Sequence, residues 1–384
     1  MKDNVTAIIV GCGHRARDYA KTMVEYTDKI KIVALVDPDK HVRDISKNLF
    51  GVPEDMCFDN IDQVLKLGKI ADCVINGTMD SLHISTSIPF LKQGYDMLLE
   101  KPITNNAKDL QELKSVVDEY HNKIMICHVL RYSPFYSEAK KVILSGEIGE
   151  VVHIETTERV GVAHNAISYI RGKWSNEQEC GSTMLLAKCC HDIDLICWFN
   201  NATAPKKVCS FGGRNFIIPE KAPKEAGTRC LVDCPLVDTC QYSAKMMLLE
   251  SNDYLGQYPW QCTGKEWYEV SNEERIESLK TYTPHGLCAY KTNANVVDHQ
   301  AVMIEFENGS TATHGMLCSA QRAGRSFYIL GTKGEIEGWG GDGKIYVRTF
   351  DPINHDNIDK GKERVIDFTN NDQGEAGGHF GGDE

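Results

Sequence analysis

Apolar residues enter this chain in short unbroken runs, and the stretches between them carry helical spacing. Val5 to Val10 is such a run, consistent with a buried parallel strand, and a helix-forming stretch from Ala16 to Glu25 follows directly. The alternation continues through a strand from Lys31 to Asp37, a strand from Asp72 to Thr78 and a helix from Leu82 to Gln93. Next come a strand from Tyr95 to Leu99, a helix from Ala107 to Tyr120 and a strand from Lys123 to His128. Strands alternating with helices predict a doubly wound parallel sheet.

After Tyr132 the pattern changes. A helix is expected over Tyr136 to Ser145, a turn at Gly146-Glu-Ile-Gly149, an alternating strand over Glu150 to Glu158 and a helix from Thr183 to Phe199. Later strands fall near Ala301 to Phe306, Ser310 to Met316 and Ser326 to Leu330. Short turns such as Glu307-Asn-Gly309 point to antiparallel pairing. The expected class is α/β: a doubly wound domain over residues 1–130, then an α+β domain over 131–384 built on a largely antiparallel open sheet. Residues 221–290, rich in Cys, Tyr, Pro and Glu without periodicity, read as an insertion or long lid.

Composition narrows the functional classes. With 384 residues, 42% hydrophobic and 25% charged, the chain has enough apolar material for two cores. A formal charge of −12 argues against broad nucleic-acid or anionic-membrane binding, which leaves small molecules as partners. No stretch approaches the ~20 apolar residues that span a bilayer, and the N-terminus runs into the first strand without a signal sequence, so a cytoplasmic location is expected. Fifteen cysteines, an odd number spread along the chain, fit reduced thiols or a metal site better than a disulfide framework.

The chemistry concentrates in a few motifs. In Gly11-Cys-Gly-His-Arg-Ala16, Gly11 takes the tight bend, Gly13 leaves room for a pyrophosphate and small Ala16 lets the helix pack on the strand. His14 and Arg15 lie in the same turn, and the phosphate would sit on the helix N-terminus. Asp37, 24 positions after Gly13, ends the next strand where a carboxylate accepts both ribose hydroxyls; it favours NAD over NADP, although Lys40, His41 and Arg43 lie just downstream. Glu100-Lys101-Pro102 follows another apolar strand, and Lys101 is the candidate for the hydride-transfer centre.

Taken in order, Gly11-x-Gly13-x-x-Ala16, Asp37, Thr78 with His83, Glu100-Lys101-Pro102, Arg131-Tyr-Ser-Pro134, Gly146-Glu-Ile-Gly149 and His191-Asp-Ile-Asp194 resemble the Gfo/Idh/MocA oxidoreductases over nearly the whole chain. The resemblance implies a Rossmann domain binding NAD(P), and oxidation or reduction of sugars, polyols and glycosides. It implies that Lys101 contacts the reacting hydroxyl, that Glu100 and Pro102 shape its turn and that His83 lies near the nicotinamide. It also implies a homodimer or homotetramer, and a further helix beyond the C-terminal residues, with His379 and Asp383 in a loop near the cleft.

One departure stands out. The family pattern places an aspartate four residues before His191, and here that position is Ala187, with Lys188 beside it. His191 is a catalytic candidate with a structural histidine as its alternative, and Lys188 is a candidate cation replacing the carboxylate. His164, Tyr169, Arg171 and Trp174, with Arg131 and His191, form the candidate substrate set, and Asp298-His299 is an addition to it. Oxidation of a secondary alcohol needs a proton acceptor within hydrogen-bond reach. The leading expectation is therefore an NAD-dependent dehydrogenase. Alternatives are an NAD-dependent glycosidase working by transient oxidation, elimination, water addition and re-reduction, and a ligand sensor.

Cys230-x-x-x-Cys234-Pro-x-x-x-x-Cys240 is a separate signal. Joined by Cys209, Cys262 or Cys288, these thiols would make a structural tetrahedral zinc site pinning the insertion, or hold an iron–sulfur cluster. Unmetallated loop thiols are the alternative.

Overall fold

The computed structural model describes residues 4–26, 28–251, 257–263, 265–351, 361–369 and 382. His379 and Asp383 lie outside the described residues. The chain divides into two compact units: the first runs to His128 and includes Cys180–Ser182, and the second holds Val129–Glu179 and the chain from Thr183 onward. No helix among the described residues is long and apolar enough to cross a membrane.

The first unit comprises β1 (Val5–Val10), α1 (His14–Tyr26), β2 (Ile30–Val36), α2 (Lys40–Phe50), β3 (Cys57–Phe58), α3 (Ile61–Leu65), β4 (Cys73–Asn76), α4 (His83–Lys92), β5 (Asp96–Leu99), α5 (Ala107–Tyr120) and β6 (Ile124–Ile126). The sheet is parallel, in the order β3-β2-β1-β4-β5-β6. Ala7 to Val10 are buried on both faces of β1, which is why the strand reads as a continuous apolar run. Strand order reverses between β1 and β4, and ligands of such sheets bind beyond the carboxyl ends of the strands at that point.

Helix α2 was not expected from periodicity, yet its punctuation is legible. Asp39 caps its start by accepting from the His41 N–H, and Gly51, at φ 65°, closes its end.

The second unit comprises α6 (Pro134–Ser145), β7 (Val151–Gly161), α7 (Met184–Phe199), β8 (Pro205–Gly213), α8 (Asn272–Thr281), β9 (His299–Phe306), β10 (Thr311–Ala320), β11 (Gly324–Gly331), β12 (Gly334–Trp339), β13 (Lys344–Thr349) and β14 (Lys362–Asp367). Its eight strands run β14-β13-β12-β11-β7-β10-β9-β8, antiparallel except for the β7–β10 pair. Thr183 caps α7 by accepting from the Leu186 N–H. One face of the sheet buries Ile154, Val302, Ile304 and Phe327 against Phe135 of α6 and Phe199 of α7. On the other face Phe211, Met303 and Leu317 are exposed.

The segment between β8 and β9 is more ordered than a long lid. Trp260, Leu248, Ala244, Val270 and Leu279 bury one another with Cys230 and Ile167, giving it a small core of its own. Helix α8 within it opens with a capping box in which Ser271 and Glu274 satisfy each other's backbone N–H.

Candidate functional site

In the first unit the glycine-rich turn has the shape a dinucleotide needs. Gly11 sits at φ 78°, and a Cβ there would lie 2.6 Å from the Thr78 nitrogen. A Cβ on Gly77 would lie 2.7 Å from that of Ala16, so the turn after β4 and the start of α1 touch through the smallest residues available. At Gly13, by contrast, a Cβ would meet nothing within 4 Å, so a phosphate has open access to backbone at the helix N-terminus. His14 pairs with Asp18 at 3.3 Å on the exposed side of α1.

Asp37 closes this arrangement. Its carboxylate accepts from the Cys12 N–H at 2.8 Å and the Asp39 N–H at 2.9 Å, which ties the end of β2 to the glycine turn. Burial lifts its carboxyl above the usual range, opposed by those two N–H groups. Arg43 donates to the Asp37 carbonyl, and Lys40 is engaged with Asp44 at 2.5 Å.

Lys101 stands just past β5, joined to Pro102 by a cis peptide. The preceding Glu100 is buried, and its carboxylate accepts from the Tyr19 hydroxyl at 2.8 Å, Arg15 Nε at 3.3 Å and the Lys101 N–H at 2.5 Å. Burial alone would raise the Glu100 carboxyl. The Lys101 and Arg15 charges and the Tyr19 hydrogen bond overcome this and hold it below its ordinary range. Arg15 also lies 4.6 Å over the Tyr19 ring, so it acts here as a bracket between α1 and the Lys101 turn.

His83, expected beside the nicotinamide, bridges two turns in this structure. Its ring is buried, with Nδ1 2.7 Å from the Pro102 carbonyl and Nε2 3.1 Å from the Thr78 carbonyl. It thereby pins the Lys101 turn to the loop after β4. Asn76 was missed by the sequence reading. It is buried at the end of β4, accepts from both the N–H and the hydroxyl of Thr78, and donates to Thr86 and Ser87. An asparagine closing an otherwise apolar strand was the available signal.

The second unit holds a buried charge cluster around α7. Lys188 Nζ lies 3.4 Å from Glu158 Oε1 on β7. Arg325 Nε, on β11, lies 2.8 Å from Glu158 Oε2 and 3.0 Å from Asp192 Oδ1. Burial opposes all four charges. Arg325 and Lys188 hold Glu158 below its usual range, burial lifts Asp192 above its own, and burial lowers Lys188 against the pull of Glu158. The position four before His191 is indeed apolar and buried at Ala187, and His191 is itself buried on the same helix. A carboxylate does reach this region, but from β7.

Cys189, Asp192 and His314 bring their ligand atoms within 4.8 Å of one another. The Arg325 guanidinium beside Asp192 opposes a cation there.

The other expected substrate residues separate into two groups. His164, Tyr169 and Trp174 form an aromatic run with ring centroids 5.6 and 6.3 Å apart, extended by Tyr258 at 6.3 Å from Trp174. Arg131 and Arg171 both have protein partners, Arg131 with its side chain 38% exposed and Arg171 buried. Arg131 grips Asp194 through two bonds of 2.6 Å, and Arg171 is buried, donating to the carbonyls of Leu287 and Tyr242. Asp298 pairs with His299 at 2.7 Å and accepts from the Asn215 and Phe216 N–H groups, so it organises the loop after β8. Cys230, Cys234, Cys240 and Cys288 line one cavity, whereas Cys209 and Cys262 are exposed elsewhere.

Comparison with known proteins agrees with the geometry. The chain is 24% identical over 341 residues to a candidate oxidoreductase of Bacillus subtilis (strain 168), YteT, covering 86% of this chain and 76% of that protein. It is 28% identical over 156 residues to scyllo-inositol 2-dehydrogenase (NAD(+)) of the same strain, covering 40% of this chain and 44% of that enzyme's length. Among solved structures it resembles scyllo-inositol dehydrogenase of Lactobacillus casei with bound NAD(H) and scyllo-inositol. The TM-score is 0.59 at 17% identity, covering 87% of this chain and 76% of that one, a likeness of fold. Residues 5–128 match the oxidoreductase-family NAD-binding Rossmann fold and residues 140–380 match its C-terminal alpha/beta domain. The chain belongs to the Gfo/Idh/MocA oxidoreductase family.

Proposed function

We propose that this protein is an NAD-dependent dehydrogenase of a sugar, polyol or glycoside hydroxyl. The observation that carries the reading is the conjunction of an open backbone at Gly13, the Asp37 carboxylate bound to the same turn, and Lys101 braced by Glu100. Bound NAD would supply the hydride acceptor. Gly11, Gly13, His14, Arg15, Ala16, Asp37 and Thr78 are assigned to holding it, with Arg15 and His83 acting through the Lys101 turn.

Lys101 takes the hydroxyl proton, assisted by His191. Lys188, engaged with Glu158, holds its helix rather than transferring protons. Half-buried His164 and Trp174 offer aromatic faces to the C–H surface of a carbohydrate, with buried Tyr169 packed between them. Exposed Phe211, Met303 and Leu317 support a homodimer or homotetramer assembled on that sheet face. A structural metal held by Cys230, Cys234 and Cys240 completes the reading.

The test is incubation with NAD and a panel of polyols, sugars and glycosides, following NADH absorbance and sugar release together. Stoichiometric NADH without cleavage supports the dehydrogenase. Aglycone release without net NADH would replace it by the redox-neutral glycosidase, and tight NAD binding with neither signal by a sensor.

A further inference from the structure

The cysteines of the segment between β8 and β9 converge in a way their spacing does not reveal. Cys230, Cys234 and Cys240 lie on one irregular stretch, while Cys288 is far along the chain. Two backbone bonds of 2.9 Å, Cys230 N–H to Gly286 O and Cys288 N–H to Thr228 O, clamp these strands side by side. The Asp233 carboxylate closes the loop between Cys230 and Cys234 by accepting from the Thr228 and Arg229 N–H groups. All four cysteines are unbridged and line a largely enclosed cavity of about 20 Å³.

A cation points at this cavity. Arg171, only 3% exposed, lines it and donates to the Cys230 sulfur at 3.7 Å. Among the described residues no carboxylate lies within ion-pair distance of Arg171. Its remaining bonds go to the neutral carbonyls of Leu287 and Tyr242, and Cys230, Cys240 and Cys288 line the same cavity. A buried guanidinium is costly unless paired, so an anionic group held by these four sulfurs would compensate it.

We propose that Cys230, Cys234, Cys240 and Cys288 hold a 4Fe–4S cluster that staples this segment, with Arg171 as its charge-compensating partner. Spacing decides between a cluster and a single ion. Zinc sits about 2.3 Å from each of four sulfurs, which sets them about 3.8 Å apart and leaves no free volume inside the tetrahedron. Here the cavity admits a water-sized sphere. Moreover, the set of three metal-capable groups found within 4.8 Å among the described residues is Cys189, Asp192 and His314, not these thiols. A cluster holds its thiolates farther apart than one ion does.

Two ferrous and two ferric ions with four sulfide ions make a 2+ core without net electron transfer, and four thiols release four protons to solvent as four iron–thiolate bonds form. The 2+ core with four thiolates then carries two negative charges, one of which Arg171 offsets. No electron transfer is required of the cluster. Its effect on the enzyme runs through Arg171, which ends the turn Asn165–Ile170 carrying Tyr169, and through neighbouring His285, whose Nε2 contacts the Ile167 carbonyl at 3.1 Å.

The experiment is quantification of iron, acid-labile sulfide and zinc in the full chain purified without oxygen, together with its visible absorption. About four iron and four sulfide per chain and an iron–sulfur charge-transfer band are expected. Cys288→Ser and Cys234→Ser should each remove most of the iron while the far-UV circular dichroism of the chain stays that of the native protein, which shows that the variants are folded. Cys209→Ala and Cys262→Ala should leave the iron content unchanged. One zinc per chain without sulfide would overturn the cluster. So would the absence of iron after anaerobic incubation with equal amounts of ferrous and ferric salt and sulfide, a result on the unaltered chain that does not depend on any variant folding.

Discussion

The ammonium of Lys188 on α7 lies 3.4 Å from the carboxylate of Glu158 on β7, and the same carboxylate is held by Arg325 at 2.8 Å. Where the family pattern has an aspartate on the helix, this chain has Ala187, and the adjacent Lys188 takes its counter-charge from the sheet. One carboxylate thus serves two buried cations. Glu158→Gln should destabilise the second unit by about 3 kcal/mol or more, because Lys188 and Arg325 lose their shared anion in a dry environment. Lys188→Met, which removes a cation and keeps its apolar stem volume, should cost markedly less. Chemical denaturation of both variants compares them directly, and equal losses would count against the shared-anion account.

Lys101 follows β5 and is positioned by Glu100 rather than by the glycine turn itself. Lys101→Ala should therefore lower kcat by about 10²- to 10⁴-fold, the contribution of a positioned proton acceptor, with NAD affinity little changed. Steady-state NADH formation and a fluorescence titration of the cofactor check the two halves. Undiminished turnover would remove Lys101 from the chemistry.

Asp37→Ala should weaken NAD binding by roughly 10- to 100-fold, the loss of about 1.5–3 kcal/mol carried by hydrogen bonds to a charged acceptor. It should also narrow the preference for NAD over NADP, since the repulsion of a 2′-phosphate goes with the charge. Dissociation constants for the two dinucleotides measure both effects. A variant with the original preference would place the discrimination elsewhere.

Glu100 offers a pH signature. Its carboxyl is held below the ordinary value in the folded state, despite burial, by Lys101, Arg15 and Tyr19. A depressed folded-state pKa adds stability that is fully present above the unfolded value, about 4.3 for glutamate, and is lost as pH falls through the lower folded value. The Tm of the native chain should fall through that acid window. In Glu100→Gln the fall should be shallower, with a lower plateau near neutrality. Identical acid limbs would show that other carboxylates govern acid stability.

Much of the first unit was legible along the chain, because its elements carry local signals. A strand buried on both faces must be apolar where it is covered, as β1 is from Ala7 to Val10, and α5 was expected at the bounds it has from apolar spacing, with Asn106 capping its start in the structure. α2 was missed although Asp39 and Gly51 mark its ends, since its apolar positions are few. In the second unit β8 and β12–β14 escaped notice. Strands with one solvated face mix polar and apolar residues, and their identity depends on the neighbours they pair with.

The sequence by itself determined the alternation of strands and helices in the first unit, the glycine turn with Asp37, the Lys101 turn and the family. All of these rest on short-range requirements: backbone freedom at Gly11, small size at Ala16, a carboxylate at a strand end. Partnership was decided only by the tertiary structure. Folding committed Arg131 to Asp194 and Arg171 to buried carbonyls beside Cys230, gave Lys188 its anion from β7, and brought Cys288 alongside Cys230. A buried charge or thiol must be satisfied by whatever the folded chain sets beside it. That neighbour is chosen by strand pairing and helix packing across many residues, which no local pattern encodes.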